Sequence, residues 1–331
     1  MKTAFRMGLA AALLILPAAT AAPQATMPSF GPPSDPVGGV PASRAPAASA
    51  DAGADAAFGA YQRGFYITAL REAMDRVSAN PHDAAAMTLI GEIYRDGYAV
   101  KQDTGEASHW YRLASGLGDR EAAFELGAML LNGAPGVAKD RAAAKAQFEL
   151  AAQKGEAGAL YNLGVMTIQG DGAVKPDFAK AADYFRRAAD AGDGNGAYSY
   201  GVLLREGRGV PLDIGESAHW LKRAADDGII AGQVEYAIML FNGVGVEKNE
   251  AAAAKIFLRA AARNNPIAQN RLAHLYVTGR GVPRDLAQAA AWNRFAKAAG
   301  LDDPDLDATT AKLTPEENDR VNQLMCRQAS F

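Results

Sequence analysis

Residues 194–229 read GNGAYSYGVLLREGRGVPLDIGESAHWLKRAADDGI, and the chain carries this pattern six times in succession. Three glycines mark the stretch: an anchor at Gly201, a second at Gly207 and a third at Gly228. Each marker recurs every 36 or 37 residues, and three markers in one register indicate an array of repeats. The anchors are Gly91, Gly127, Gly164, Gly201, Ala237 and Ala273; the second positions are Gly97, Gly133, Gly170, Gly207, Gly243 and Gly279; the third positions are Gly118, Gly155, Gly192, Gly228, Asn264 and Gly300.

Each unit divides into two predicted helices. In the first helix of the quoted unit, Gly196 and Tyr200 are four residues apart and therefore share one face. The second glycine is suited to end this helix, because glycine adopts the left-handed conformation without strain. An Asp or Asn then precedes an Ala-rich stretch, as expected of a residue that caps a second helix. Glu106 and Glu216, each three residues after such a cap, predict capping boxes in two units.

The repeats predict the architecture of the chain. Helix pairs of this kind cannot bury their apolar faces alone and must stack on one another. We therefore predict an all-α fold, an α-solenoid of stacked antiparallel helix pairs, with about six 36–37-residue repeats over residues 84–302. Residues 58–83 predict an N-terminal helical hairpin. Residues 303–331 predict a C-terminal capping helix, from Thr314 to about Met325, and a tail.

Several segments resemble the Sel-one-like repeat family, relatives of the tetratricopeptide repeat: residues 159–164 (ALYNLG), 206–210 (EGRGV) and 218–225 (AHWLKRAA). The resemblance implies an α-solenoid whose first helices line a concave surface. It also implies a role in holding proteins together, often in bacterial envelope signalling or secretion. Periplasmic relatives include negative regulators of sensor kinases in alphaproteobacteria. The usual tyrosine after the anchor is kept only at Tyr94 and Tyr276.

The N-terminal residues predict export. Residues 1–21 have the pattern of a secretory signal peptide, in which Lys2 and Arg6 precede the apolar run 7–16 and small residues follow. That run is too short to cross the roughly 30 Å of hydrocarbon in a membrane. Residues 22–57 are rich in Pro, Ala, Ser and Gly and predict a disordered linker. The expected location is the periplasm of a Gram-negative bacterium, without stable membrane insertion once the signal is removed.

Composition argues against several function classes. The 34 Lys and Arg against 37 Asp and Glu give a net charge of −3, which offers no electrostatic reason to bind nucleic acid. One cysteine and four scattered histidines leave little for a metal centre, so no metal or cofactor is expected. His109 and His219 recur at equivalent repeat positions and are interpreted as scaffold. Cys326 is interpreted as an inert thiol, with an intermolecular disulfide as the alternative.

The first helices also carry the candidate binding residues. Two positions, two before the anchor and five after it, are polar in five of the six units, and seven residues make nearly two turns, so each pair shares a face. We predict that they line a groove for a peptide or loop, because amide side chains both donate to and accept from an extended backbone. Arg95, Arg205 and Phe241 lie nearby as anchors. The alternative is a solvated helix face. The polar pairs are Glu125 and Asn132, Asn162 and Gln169, Ser199 and Glu206, Glu235 and Asn242, and Arg271 and Thr278.

These features together predict a non-enzymatic periplasmic scaffold or regulatory adaptor that binds an envelope or periplasmic protein. The alternative function is a cell-envelope hydrolase or glycan-binding protein acting on wall material. A buried cluster of acids or histidines with perturbed pKa values in the groove would favour the alternative. A continuous, open polar face would favour the adaptor.

Overall fold

The computed structural model describes residues 55–170 and 175–328. Within these residues it contains sixteen helices, and its only extended pairing is one isolated bridge between Ala134 and Val137. The helices are α1 (Ala56–Gln62), α2 (Tyr66–Ala79), α3 (Ala84–Asp96), α4 (Thr104–Gly116), α5 (Arg120–Asn132), α6 (Arg141–Gln153), α7 (Ala157–Gln169), α8 (Phe178–Asp190), α9 (Gly194–Glu206), α10 (Ile214–Asp226), α11 (Ile230–Asn242), α12 (Glu250–Ala262), α13 (Pro266–Thr278), α14 (Leu286–Ala298), α15 (Pro304–Thr310) and α16 (Pro315–Gln328). Helices α3 to α14 form six successive pairs, and each packs on its neighbours along the chain. The predicted all-α solenoid is confirmed.

The second helix of every pair begins at its predicted cap. In all six, the side-chain oxygen of the cap accepts the backbone N–H of the residue three positions later, which satisfies a donor that the helix leaves free. The caps are Asp103, Asp140, Asp177, Asp213, Asn249 and Asp285.

The predicted capping boxes are wrong. The backbone N–H of Asp103 donates to the carbonyl of Tyr94, in the preceding helix, so it does not need the Glu106 carboxylate. Glu106 instead accepts from the indole N–H of Trp110 at 2.9 Å. Glu216 likewise accepts from Trp220 at 2.7 Å. In both units the glutamate therefore accepts from an indole N–H that needs an acceptor and does not close a capping box.

The second glycines end the first helices, but in two different ways. Gly97, Gly207, Gly243 and Gly279 have the left-handed conformation predicted for them. At Gly133 and Gly170, φ is also positive, whereas ψ is extended. These two glycines belong to the 37-residue units, whose extra residue lies in the loop that follows. At Gly133 the extended ψ directs the chain into that longer loop.

The anchor glycines let the two helices of a pair approach closely. A Cβ added at Gly91 would lie 2.7 Å from the ring of Tyr111, and one added at Gly164 would lie 2.5 Å from the ring of Phe185. Both rings are fully buried. The absent side chain is therefore the space that the large residue of the second helix fills.

The N-terminal hairpin begins earlier than predicted. Helix α1 starts at Ala56, and Asp55 caps it, so residues 55–57 belong to the folded region and not to the linker. Arg76 of α2 explains the start, because its guanidinium bridges Asp55 at 2.6 Å and Asp83, the cap of α3, at 2.9 Å. The predicted signal peptide and residues 22–54 of the predicted linker lie outside the described residues.

The C-terminal end contains two helices where one was predicted. Asp303 caps the short helix α15, which buries Leu306. Helix α16 begins with a reciprocal capping box, in which the Thr314 N–H donates to the Glu317 carboxylate at 2.9 Å and the Glu317 N–H donates to the Thr314 hydroxyl at 3.2 Å. Both helices pack on α14. In the described part of the chain, every helix is too short or too polar to cross a bilayer.

Candidate partner-binding face

The first helices of successive repeats are joined by matching ion pairs. Arg95 of α3 contacts Glu125 of α5 at 2.9 Å, and Arg205 of α9 contacts Glu235 of α11 at 2.5 Å. In each pair, the arginine lies four residues after its anchor and the glutamate two residues before the next one. The structure thus brings together four of the predicted site residues. We call the surface that carries the predicted binding positions of α3, α5, α7, α9, α11 and α13 the first-helix face.

Other predicted residues also have partners within the protein. The side-chain amide of Asn162 donates to the carbonyl of Gly158 in its own helix at 2.8 Å. Gln169 accepts from Arg141 at 3.2 Å. These contacts hold the side chains to their helices and loops, so both are poorer candidates for partner binding than the sequence indicated.

The last polar position is better placed in α5, α9 and α11. Asn132 and Asn242 are exposed at the ends of α5 and α11. Glu206 is exposed at the end of α9 and lies 3.3 Å from Arg208. Thr278 is exposed but bonds to its own helix, where its hydroxyl donates to the carbonyl of His274 at 2.8 Å.

The remaining predicted residues differ in exposure. Arg271 is half-buried on α13. The ring of Phe241 is covered by the guanidinium of Arg280, 4.2 Å from its centroid, so it is not an open apolar anchor. Ser199 is only 3% exposed, and its place among the binding residues is wrong. A serine hydroxyl extends one bond beyond Cβ and does not reach past the longer side chains around it.

The structure adds acidic residues that the sequence reasoning missed. Glu92 lies one position after its anchor and is half-buried. Burial and the nearby carboxylates, first Glu121 and then Glu125 and Asp96, raise its pKa to about 8, against the lowering effect of Arg95. The pKa of Glu121 is also raised, by desolvation and by the charges of neighbouring carboxylates.

A signal for Glu92 was present in the sequence. The equivalent positions in the other five units are Ala128, Val165, Val202, Ile238 and His274, so an acid appears here once. Because four of the six units have an apolar residue here, the position does not meet the rule that a binding position is polar in most repeats. A departure from the repeat pattern was the informative feature.

Three tyrosines lie beside this acidic group. The rings of Tyr66 and Tyr98 are stacked with centroids 4.5 Å apart, and Tyr61 meets Tyr66 edge-on at 5.3 Å. The Tyr61 hydroxyl donates to the Asp96 carboxylate at 3.5 Å. The N-terminal hairpin therefore places the Tyr61 ring next to the acids of α3.

The predicted scaffold histidines and the lone cysteine lie on three different helices, α4, α10 and α16. His109 and His219 each meet the ring of the following tryptophan edge-on. Cys326 is exposed on α16. The described residues contain no group of three His, Cys, Asp or Glu side chains placed to hold a metal ion.

Comparisons with known proteins agree with the repeat assignment. The Sel1 repeat model matches residues 84–119, 120–156, 157–193, 195–229, 230–265 and 266–301. A solved structure of c5321, described as a protective antigen of uropathogenic Escherichia coli strains displaying an SLR fold, is 24% identical with a TM-score of 0.70; the match covers 83% of this chain and 61% of that one.

A Sel1 repeat protein from Oxalobacter formigenes is also 24% identical, with a TM-score of 0.63, over 73% of this chain and 95% of that one. These likenesses show the fold. The comparison with curated proteins gave no significant match. With six repeat matches over most of its length, the chain belongs to the Sel1 repeat family, whose members generally mediate protein–protein interaction.

Proposed function

We propose that this protein is a non-enzymatic scaffold or regulatory adaptor that binds a peptide or loop of a protein partner on its first-helix face. The observation that carries the proposal is the exposure of polar residues at the same repeat position, Asn132, Glu206 and Asn242, along one row of helix ends. Amide groups can donate to and accept from the backbone of an extended chain, and carboxylates can accept from its N–H groups. We further propose that it acts in the periplasm, from the signal-peptide pattern of residues 1–21.

The test is cross-linking of the tagged protein in intact cells, followed by identification of the proteins that co-purify. The variant is Asn132→Ala with Asn242→Ala. The matched control is Gln153→Ala with Gln323→Ala, which removes two exposed amides from α6 and α16, outside the first-helix face. A specific protein lost in the variant and kept in the control supports the adaptor. Equal recovery from both removes the row of helix ends from the proposal.

The location is tested separately. Cell fractionation and N-terminal sequencing of the mature protein should give a periplasmic species that begins near Ala22. A chain that keeps Met1 and fractionates with the cytoplasm would contradict export.

One observation favours the second candidate, a cell-envelope hydrolase or glycan-binding protein. Glu92 is an acid with a raised pKa beside other carboxylates, and glycoside hydrolases use such a pair as acid and base. The test is incubation with purified peptidoglycan and chromatography of the released fragments. Fragments released by the native protein, and lost with Glu92→Gln, would establish this candidate. No release at any pH from 5 to 9 would exclude hydrolysis of this substrate.

A further inference from the structure

The acids of α3 and α5 form a compact charged group at the N-terminal end of the first-helix face. We call this group the acidic corner: Glu92, Arg95 and Asp96 of α3, with Glu121 and Glu125 of α5. Four acids surround one base, which gives a net negative charge in a chain that is almost neutral overall. Burial, and after it the repulsion of these carboxylates, opposes the ionisation of Glu92.

The internal base is already fully engaged. Arg95 donates to Asp96 through Nε at 2.8 Å and through Nη2 at 3.3 Å, and its Nη1 contacts Glu125 at 2.9 Å. Glu92 has no hydrogen bond or ion pair with the described residues. The corner therefore holds a half-buried carboxylate that lacks a cation of its own.

A second unpartnered group lies beneath the corner. Tyr111 is fully buried, and its hydroxyl has no hydrogen-bond partner among the described residues. The charged side chains that act on it are Arg95, Glu125 and Glu92, so it faces the corner. Burying a hydroxyl without a partner is costly, and such a group calls for a ligand or a structural reason.

Aromatic surface adjoins the corner at Asp96, which accepts from the Tyr61 hydroxyl. Tyr98 is 54% exposed, and its ring is supported from below by Tyr66. A ring face beside carboxylates attracts a guanidinium or ammonium group through its quadrupole while the carboxylates supply opposite charge. Neutral sugar hydroxyls would not relieve the repulsion among the acids.

The equivalent point in the fourth and fifth repeats shows that stacking does not require these acids. The Arg205–Glu235 ion pair is the same contact between first helices. The residues there that correspond to Glu92, Glu121 and Tyr98 are Val202, Ala231 and Arg208, respectively. The same ion pair forms there without these acids, so contact between the first helices does not depend on them.

We propose that the acidic corner is a subsite for an arginine or lysine side chain of the protein partner. This rests on the proposed adaptor function and gives the partner a stated chemistry: a basic residue in an exposed peptide or loop. The cation would contact Glu92 and Glu121. Because binding favours ionised Glu92, it would release a proton near neutral pH.

The test is calorimetric titration of the full chain with two peptides, acetyl-GSGRGSGRGSG-amide and the same peptide with citrulline in place of both arginines. Citrulline keeps the shape of arginine and removes its charge. The variant is Glu92→Gln with Glu121→Gln, which keeps the Arg95–Glu125 pair. The matched control is Glu247→Gln with Glu316→Gln, which removes two exposed acids outside the acidic corner and the row of helix ends and changes the net charge equally.

We expect the arginine peptide to bind the native protein at least tenfold more tightly than the citrulline peptide. The variant should lose that preference, and the control should stay within twofold of the native protein. Affinity should rise from pH 6.5 to 9 in the native protein and not in the variant. Equal binding of both peptides, or equal losses in variant and control, would overturn the subsite. So would binding of chitotetraose that depends on Glu92 and Glu121 while the arginine peptide fails to bind.

The cellular cross-linking separates this inference from the adaptor function. A partner that is captured equally by the native protein and by the Glu92→Gln, Glu121→Gln variant, with no preference for the arginine peptide, leaves the adaptor and removes the subsite. Peptide binding that follows the expected pattern, with no protein captured in cells, leaves the subsite and removes the adaptor. Thermal unfolding of each variant shows that the protein remains folded.

Discussion

The acidic corner and the site around Arg205 are built on the same scaffold and differ in charge. Both have an arginine that pairs with a glutamate of the next first helix, and in both the arginine lies four residues after an anchor glycine. Around Arg95 lie three further acids, whereas Arg205 has Glu206 and the cation Arg208. The repeat therefore supplies the geometry, and the positions that depart from the repeat supply the chemistry.

The largest expected effect breaks the shared scaffold at both places. Gly91→Val and Gly201→Val should each destabilise the protein by about 2–3 kcal/mol, because the new side chain enters space filled by Tyr111 or Leu221. Urea unfolding of the two variants measures this. A neutral result at either position would show that the two sites do not share the packing described.

The next effect separates the two sites by charge. Arg95→Ala leaves four acids without their base and should lower the free energy of unfolding by about 1–2 kcal/mol. Arg205→Ala leaves two acids, Glu235 and Glu206, and Glu206 still pairs with Arg208. It should therefore lower the free energy of unfolding by only about 0.5 kcal/mol. Unfolding free energies at pH 7 and low salt give the difference. The gap should narrow at 1 M salt; a gap independent of salt would assign it to packing instead.

A smaller effect concerns the pH dependence of the acidic corner. The groups around Glu92 are Tyr61 of α1, Arg95 and Asp96 of α3, Tyr111 of α4, and Glu121 and Glu125 of α5. The folded pKa of Glu92, about 8, lies above the unfolded value of 4.5, so the folded state holds the proton over that range. The stability contributed by this group is therefore lost as pH rises from 4.5 towards 8.

Glu92→Gln should remove that loss. At pH 4, below both pKa values, the variant and the native protein should melt within a degree of each other. From pH 4.5 to 8.5 the variant should become progressively more stable than the native protein, by at least about 1 kcal/mol. Val202→Gln is the control at the neutral site and should show no such change with pH. A native protein whose stability relative to Glu92→Gln is independent of pH would contradict the raised pKa.

The smallest effect concerns Trp292 in the sixth repeat. Its indole N–H lacks the glutamate acceptor that the equivalent tryptophans of the first and fourth repeats have. Trp292 corresponds to Trp110 and Trp220, but its buried indole N–H has no partner among the described residues. Gln288 stands where the other two units have glutamate. Gln288→Glu should offer the indole a carboxylate, a stronger acceptor than an amide oxygen, and raise stability by about 0.5–1 kcal/mol in thermal unfolding. Glu216→Gln in the fourth repeat should change it in the opposite direction.

The sequence by itself determined the repeat architecture, because the rules that set it are local. A glycine with positive φ ends a helix, and an Asp or Asn caps the next one, wherever in the chain they occur. These signals recur six times in one register, so helices α3 to α14 were predictable from spacing alone. The short helix α15 was missed because the array pattern stops before it.

Only the tertiary structure decided which polar side chains remain available. Ser199 and Asn162 satisfied the spacing rule, but burial removed the first and a bond within its helix occupied the second. Glu92 and Glu121 are 29 residues apart in sequence and meet only because α3 and α5 stack with α4 between them in the chain. The charge environment of a side chain depends on what the fold brings beside it, and a one-dimensional pattern does not contain that information.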